Sequence, residues 1–419
     1  MLYAQYQVLS GQHCIKRPLT YSYLKAFVQS SVACNTFSTW NVVSNDGNVQ
    51  RSLSRHTASL CNSNEVLLKR QYGVKVRLTP EQKYVYRNTK LGYIWKPDLA
   101  QLIREKVWPD NSLKNEDALV VDSNAGPGIL SKELLNAGVK RLVSLDRNKD
   151  FLPRLEELKK TSQGRLLRTF HADFYKIQYH GETPYAPPVI RLKELFQDVS
   201  PVSWESDVPI KVLGCFPHRM EKTQAYLFAS LMIERLSLFA YGRAQLNFLL
   251  SEKCYETIIQ PPGKYFKYRA LSALYQLGFD IKLLHKEPLS SFSSPSTLTY
   301  NSPAGGTKDS FLYLTQLTPK RDLFLRHNLS QHEAFIFVYF MRQTLSKRSS
   351  KLVEIVENWA PGHGHIIAEL ELSENVRSGD VDGDTLLKIF THICKQDTFN
   401  GSWMGEDAMA YALKAIPTV

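Results

Sequence analysis

No Asp or Glu occurs between Met1 and Asn45, although Lys16, Arg17 and Lys25 do, with Arg51 and Arg55 following. The same stretch lacks the 7 to 15 residue apolar core of a secretory signal, which excludes that class. An Arg-bearing, Ser-rich, acid-poor leader fits an organelle transit peptide, and a disordered tail is the alternative, so residues 1 to 64 are set aside from the fold. No apolar run approaches the roughly 20 residues of a membrane-spanning helix, so no membrane span is expected. The six cysteines (Cys14, Cys34, Cys61, Cys215, Cys254, Cys394) include no CxxC pair and no neighbouring His cluster. That argues against a disulfide framework or a zinc motif and suits a reducing compartment. His363 and His365 in "PGHGH" lack acids or cysteines nearby and read as a loop, so no metal is expected. Acid is scarce overall: 52 Lys and Arg against 40 Asp and Glu leave a net charge of +12, which attracts polyanions, nucleic acid first and anionic lipid second.

Between Lys69 and Lys96 eight Lys or Arg meet a single acid, Glu81, and Tyr72, Tyr84, Tyr86, Tyr93 and Trp95 are interleaved. Cations for phosphates and rings for bases suit a single-strand binder; a solvated basic helix with packed tyrosines is the alternative. We set residues 65–110 apart as a basic N-terminal segment, 111–318 as an α/β domain and 319–419 as a helical one.

The α/β assignment rests on alternation. "ALVVD", "RLVSLD", "RLLRTFHAD" and "IKVLG" read as strands separated by helices or long crossovers, which predicts a parallel, doubly wound sheet. The Tyr179 to Val208 stretch reads as an excursion loop. In such a sheet the first strand-to-helix turn, "SNAGPG", brings Gly126 and Gly128 close to a ligand. Asp122, Asp146 and Asp173 at the ends of strands one to three suit an adenosine-bearing ligand without a phosphate, favouring S-adenosylmethionine over NAD. Ordinary helix-capping acids are the alternative.

"DSNAGPGILSKELLNAGVKRLVSLD", "HADF", "KVLGCFPHR" and "LLHKEPLSSF", in this order and spacing, resemble the rRNA adenine dimethyltransferase family. With "TPKRDLF" and the helices after it, the resemblance narrows to a mitochondrial branch and runs from about Tyr93 to Trp403. It implies a Rossmann-like S-adenosylmethionine-dependent methyltransferase domain with a small C-terminal helical domain, and it adds Ile94 to the cofactor set. The narrower match implies an initiation factor of the mitochondrial matrix and nucleoid that helps mitochondrial RNA polymerase open promoter DNA.

Active family members carry an Asn-aliphatic-Pro-aromatic tetrad, which corresponds to Cys215, Phe216, Pro217 and His218 here. The Asn amide oxygen accepts a proton of the adenine amine, and a thiol cannot replace it. Asn124 departs from the first Gly of the family's turn, which puts cofactor affinity in question. Phe292 matches a second base-stacking aromatic, with core packing as the alternative for it and for Phe216. From Lys320 to Leu352 seven cations face two acids, and Arg321, Lys347, Arg348 and Lys351 are the candidate phosphate contacts.

Three functions are therefore weighed: an initiation factor with little or no enzyme activity, an active dimethyltransferase of adjacent adenosines in mitochondrial small-subunit rRNA, and an RNA-binding assembly factor with an empty pocket.

Overall fold

The computed structural model describes residues 40–42, 51–53, 93–178, 188–216, 221–264, 266–292, 311–326 and 329–415. The leader and the basic run before Tyr93 lie outside the described residues, except for two short strands, Trp40–Val42 and Arg51–Leu53, which pair antiparallel with Trp40 opposite Leu53.

In the main body the first helix, α1 (Pro97–Val107), starts with Pro at its first position, where the missing N–H costs nothing. Its buried Leu99, Ala100, Ile103 and Val107 recur at helical spacing. They share an apolar cluster with Leu130, Leu134 and Leu135 of α2 (Ile129–Asn136). The strands are β1 (Leu119–Asp122), β2 (Leu142–Asp146), β3 (Leu166–His171), β4 (Ile210–Cys215), β5 (Gln245–Ser251), β6 (Phe279–Pro288) and β7 (Phe311–Pro319). All residues of β1 and β2 are buried, as strands covered on both faces require.

The seven form one sheet in the order β6-β7-β5-β4-β1-β2-β3. Strands β1 to β5 run parallel, and β7 runs antiparallel to both β5 and β6. The chain winds outward from β1 to β3, then returns to place β4 on the other side of β1, so the direction reverses between β1 and β4. A crevice outside the carboxyl ends of those two strands is where a doubly wound sheet binds ligands.

Helices α3 (Leu152–Thr161), α4 (Glu221–Ile233), α5 (Glu252–Ile258) and α6 (Ala270–Gly278) connect the strands. After β7 come α7 (Gln331–Thr344), α8 (Leu352–Trp359), α9 (Gly383–Ile393) and α10 (Trp403–Ala415). Helix α7 is buried from Ala334 to Met341, as its apolar circumference predicts. A capping box starts it: Ser330 Oγ accepts the Glu333 N–H at 3.2 Å, and the Glu333 carboxylate accepts the Ser330 N–H at 2.7 Å. Phe337, Phe340 and Phe390 of α7 and α9 belong to the same apolar cluster as Phe228 of α4 and Tyr275 of α6.

The expected excursion loop is corrected for residues 188–208. Leu195 and Phe196 are fully buried, the Trp204 indole N–H donates to the Lys320 carbonyl at 3.0 Å, and its ring meets Phe324 edge-on at 4.7 Å. Its widely spaced aromatics gave no period for a sequence reading to detect. Among the described residues no helix is long and apolar enough to cross a membrane.

Candidate functional site

The turn after β1 and the end of β2 face each other. The Gly126 N–H donates to Asp146 Oδ2 at 2.9 Å, and the Asn148 N–H donates to Asp146 Oδ1 at 2.7 Å. A third donor, the Tyr93 hydroxyl, reaches Asp146 Oδ1 at 3.2 Å. Gly126 has φ +54°, and a Cβ there would lie 2.4 Å from the Tyr93 ring. Tyr93 is 1 % exposed and meets Phe151 edge-on at 5.0 Å. This corrects its place among the stacking tyrosines of the basic segment, because no ring face is left for a base.

On β1, Asp122 is buried and accepts the Ser131 hydroxyl at 2.6 Å. Burial, then the Asp146 charge, outweighs that bond and pushes the Asp122 carboxyl up to about 7. Burial also raises Asp146 to about 6 against the opposing Asn148, Gly126 and Tyr93 bonds. Burial first, then the Asp146 charge, drives the Tyr93 phenol far above its ordinary value, so it stays a donor.

Across the crevice β4 delivers Cys215, which is 7 % exposed. Its N–H donates to Asn124 Oδ1 at 2.8 Å, its carbonyl accepts the Tyr175 hydroxyl at 2.8 Å, and its thiol lies 3.7 Å from the Phe216 carbonyl. Asn124, the departure from the family's glycine, thus ties the first turn to the β4 loop. Gly214 is needed beside it, because a Cβ there would lie 1.9 Å from Ser123 Oγ. Phe216 is 4 % exposed and packs against Phe248 at 4.6 Å, so its ring is core as the loop stands. Pro217 and His218 lie outside the described residues. Asp173, half-buried, accepts the Tyr175 N–H at 3.1 Å and caps a short 3-10 helix.

Among the described residues two small hollows lie in the crevice. One of about 20 Å³ is lined by residues including Ile94, Asp122, Asn124, Gly214 and Cys215. The other, about 10 Å³, is lined by Tyr93, Ser123, Asn124, Arg147, Ala172, Asp173, Tyr175 and Cys215. Asp122, Asp146, Asp173, Gly126 and Ile94 do converge here. In this arrangement they do not fit S-adenosylmethionine, because Tyr93 covers Gly126 and donates to the carboxylate that a ribose would need.

The candidate nucleic-acid residues are not in one place. Phe292 is 5 % exposed within the cluster that holds Cys215, Leu249 and Leu314, which favours the core-packing alternative over stacking on a base. Arg321 is exposed and pairs with Asp207 at 3.2 Å. Lys347 and Lys351 are exposed and Arg348 half-buried, in the turn between α7 and α8. That turn is fixed by the Gly379 N–H donating to the Arg348 carbonyl at 2.9 Å, while the Gly379 carbonyl accepts the Gly263 N–H at 2.8 Å. Residues 347–351 are thereby joined to the loop that carries exposed Lys264, Phe266, Lys267 and Arg269. Phe266 is 90 % exposed. Our sequence reading missed this group, although "KYFKYR" has the same interleaving of cations and aromatics as the segment before Tyr93.

Comparison with known proteins agrees with this fold. The profile of the family "Ribosomal RNA adenine dimethylase" matches residues 87–373. The mitochondrial dimethyladenosine transferase 2 of Homo sapiens is 33 % identical over 58 % of this chain and 62 % of its own length, so the match leaves over a third of that relative uncovered. The protein of the same name from Bos taurus is 28 % identical over 79 % of this chain and 84 % of its own. A solved dimethyladenosine transferase from Plasmodium falciparum superposes with a TM-score of 0.48 at 15 % identity, covering 72 % of this chain and 98 % of that one. With the profile spanning more than half of its residues and a doubly wound sheet beneath it, the chain belongs to the ribosomal RNA adenine dimethylase family of S-adenosylmethionine-dependent methyltransferases.

Proposed function

We propose that this chain is a mitochondrial transcription initiation factor that assists mitochondrial RNA polymerase in melting promoter DNA, acting in the matrix nucleoid on a methyltransferase scaffold that no longer turns over. The observation that carries the reading is Tyr93 lying on Gly126 and bonded to Asp146, where an adenosine would have to sit. The Cys215 loop adds to it. A thiol buried against the Phe216 carbonyl offers no amide oxygen to an adenine amine, and loss of one oriented bond to a reacting group costs about a hundredfold or more in rate.

A melting factor needs different chemistry: cations that follow a backbone and rings that hold unpaired bases. Each base-pair step released costs about 1.4 kcal/mol of stacking. Each base stacked on an aromatic returns about 1 to 3 kcal/mol. Phe266 among Lys264, Lys267 and Arg269, beside Lys347 and Lys351, supplies both on one stretch of surface. The acid-poor leader and the mitochondrial relatives support the compartment.

The test places 2-aminopurine at the start site of a closed duplex promoter. Its fluorescence should rise when polymerase and this protein are added together and stay low with polymerase alone. Equal signals would sink the reading. The second reading, a working dimethyltransferase of small-subunit rRNA, is favoured by Asp122, Asp146 and Asp173 converging on one crevice. Methyl transfer to the rRNA hairpin that disappears in Asp173→Ala would establish it.

A further inference from the structure

The C-terminal helices bring together three histidines that lie up to 29 positions apart in sequence. His363 and His365 stand on the loop after α8, and His392 on the last turn of α9. One ring nitrogen from each lies within 4.8 Å of the other two, and the three rings form a near-equilateral triangle with centroids 5.6, 5.7 and 5.8 Å apart. In this trio His363 Nδ1 and His392 Nε2 are buried without a hydrogen-bond partner. A buried polar atom left unpaired is costly and calls for an explanation such as an ion. We propose that His363, His365 and His392 form a Zn²⁺ site that pins the 361–365 loop to the end of α9.

The surroundings are built for it. The Glu357 carboxylate accepts the Gly362 N–H at 2.7 Å and the Gly364 N–H at 2.6 Å, so the loop that carries both histidines is clamped in one shape. Gly364 is required there, since a Cβ would lie 2.5 Å from Glu357 Oε1. His365 Nδ1 lies 3.2 Å from the Gly362 carbonyl, and donating to it leaves Nε2 as the ligand, the usual way a ligating imidazole is oriented. Glu369 Oε1 lies 3.5 Å from His365 Nε2 but outside the three-histidine group, which leaves the fourth position to water. Zinc takes imidazole nitrogens at about 2.0–2.1 Å in a tetrahedron, which puts neighbouring nitrogens about 3.4 Å apart. Each ring therefore needs to move by about 1 Å or less.

The test uses the full-length chain without a histidine tag, stripped with chelator and titrated with Co²⁺ and then Zn²⁺. The expected result is a 1:1 complex with the visible bands of four-coordinate Co²⁺, displaced by Zn²⁺, with an apparent Kd of about 1 µM or tighter. Affinity should fall by about a hundredfold in His363→Ala, His365→Ala and His392→Ala and hold in His332→Gln, whose ring faces Met409 on another helix pair. Zn²⁺ should also raise the melting temperature of the native chain and not that of the three variants. Because His365 is exposed, its variant will fold and keeps the test decisive. No 1:1 complex, a thiolate charge-transfer band, or native affinity in His365→Ala would each overturn the site.

Discussion

If Tyr93 fills the place of an adenosine, removing it should increase cofactor affinity while weakening the fold. To admit a ribose at Gly126 the ring must leave Asp146 and Phe151. The bond to a charged carboxylate contributes about 1.5 to 3 kcal/mol and the edge contact about 0.5 to 1.5 kcal/mol. A middle figure of about 3 kcal/mol leaves roughly one molecule in 150 competent to bind, and apparent affinity falls by that factor. Tyr93→Ala should therefore bind S-adenosylhomocysteine about a hundredfold tighter than the native chain by calorimetry. It should also lose about 3 to 5 kcal/mol of stability, the usual cost of truncating a buried aromatic. Tyr93→Phe loses only the hydroxyl and should gain about tenfold, which separates gating from general loosening. If the native chain bound in the low micromolar range and neither variant bound tighter, the gating argument would be wrong.

Two further outcomes follow from particular residues. The folded-state pKa of Asp122 is about 7 against an ordinary 3.8, so the native chain holds a proton there that the unfolded chain has released. Its contribution is complete below pH 3.8 and lost as pH rises through about 7, a span worth at most about 4 kcal/mol. In urea melts at pH 5, 6.5 and 8, Asp122→Asn should gain on the native chain as pH rises, and parallel curves would refute this. Phe266→Ala removes an exposed ring and should leave stability within about 0.5 kcal/mol while weakening single-stranded DNA binding by about 1 to 3 kcal/mol. Unchanged binding would remove this loop from the interface.

Strands β1 to β4 were legible because each is a short apolar run punctuated by an acid or a glycine, and the order of those runs carries the winding of the sheet. Strand β6 was not, since "FDIKLLHKEP" carries one buried residue, Phe279, among half-buried and exposed ones with several charges and is held by a partner, β7, some 30 residues later. The converging acids could be read from strand ends, but the fate of their crevice could not. Tyr93 reaches Gly126 across 33 positions, and nothing local in "LGYIW" distinguishes a ring that plugs a turn from one that stacks on a base. Phe292 was misplaced for the same reason, because burial is decided by Leu249 and Leu314 and not by its neighbours. "PGHGH" looked like a plain loop because its third histidine arrives on α9.

The most direct test is run-off transcription with the cognate mitochondrial RNA polymerase on two templates, one fully duplex and one with a pre-melted bubble at the start site. The account predicts that this protein is required on the duplex and largely dispensable on the bubble, with Cys215→Ala behaving as the native chain on both. Equal stimulation of the two templates, or none on either, would contradict it.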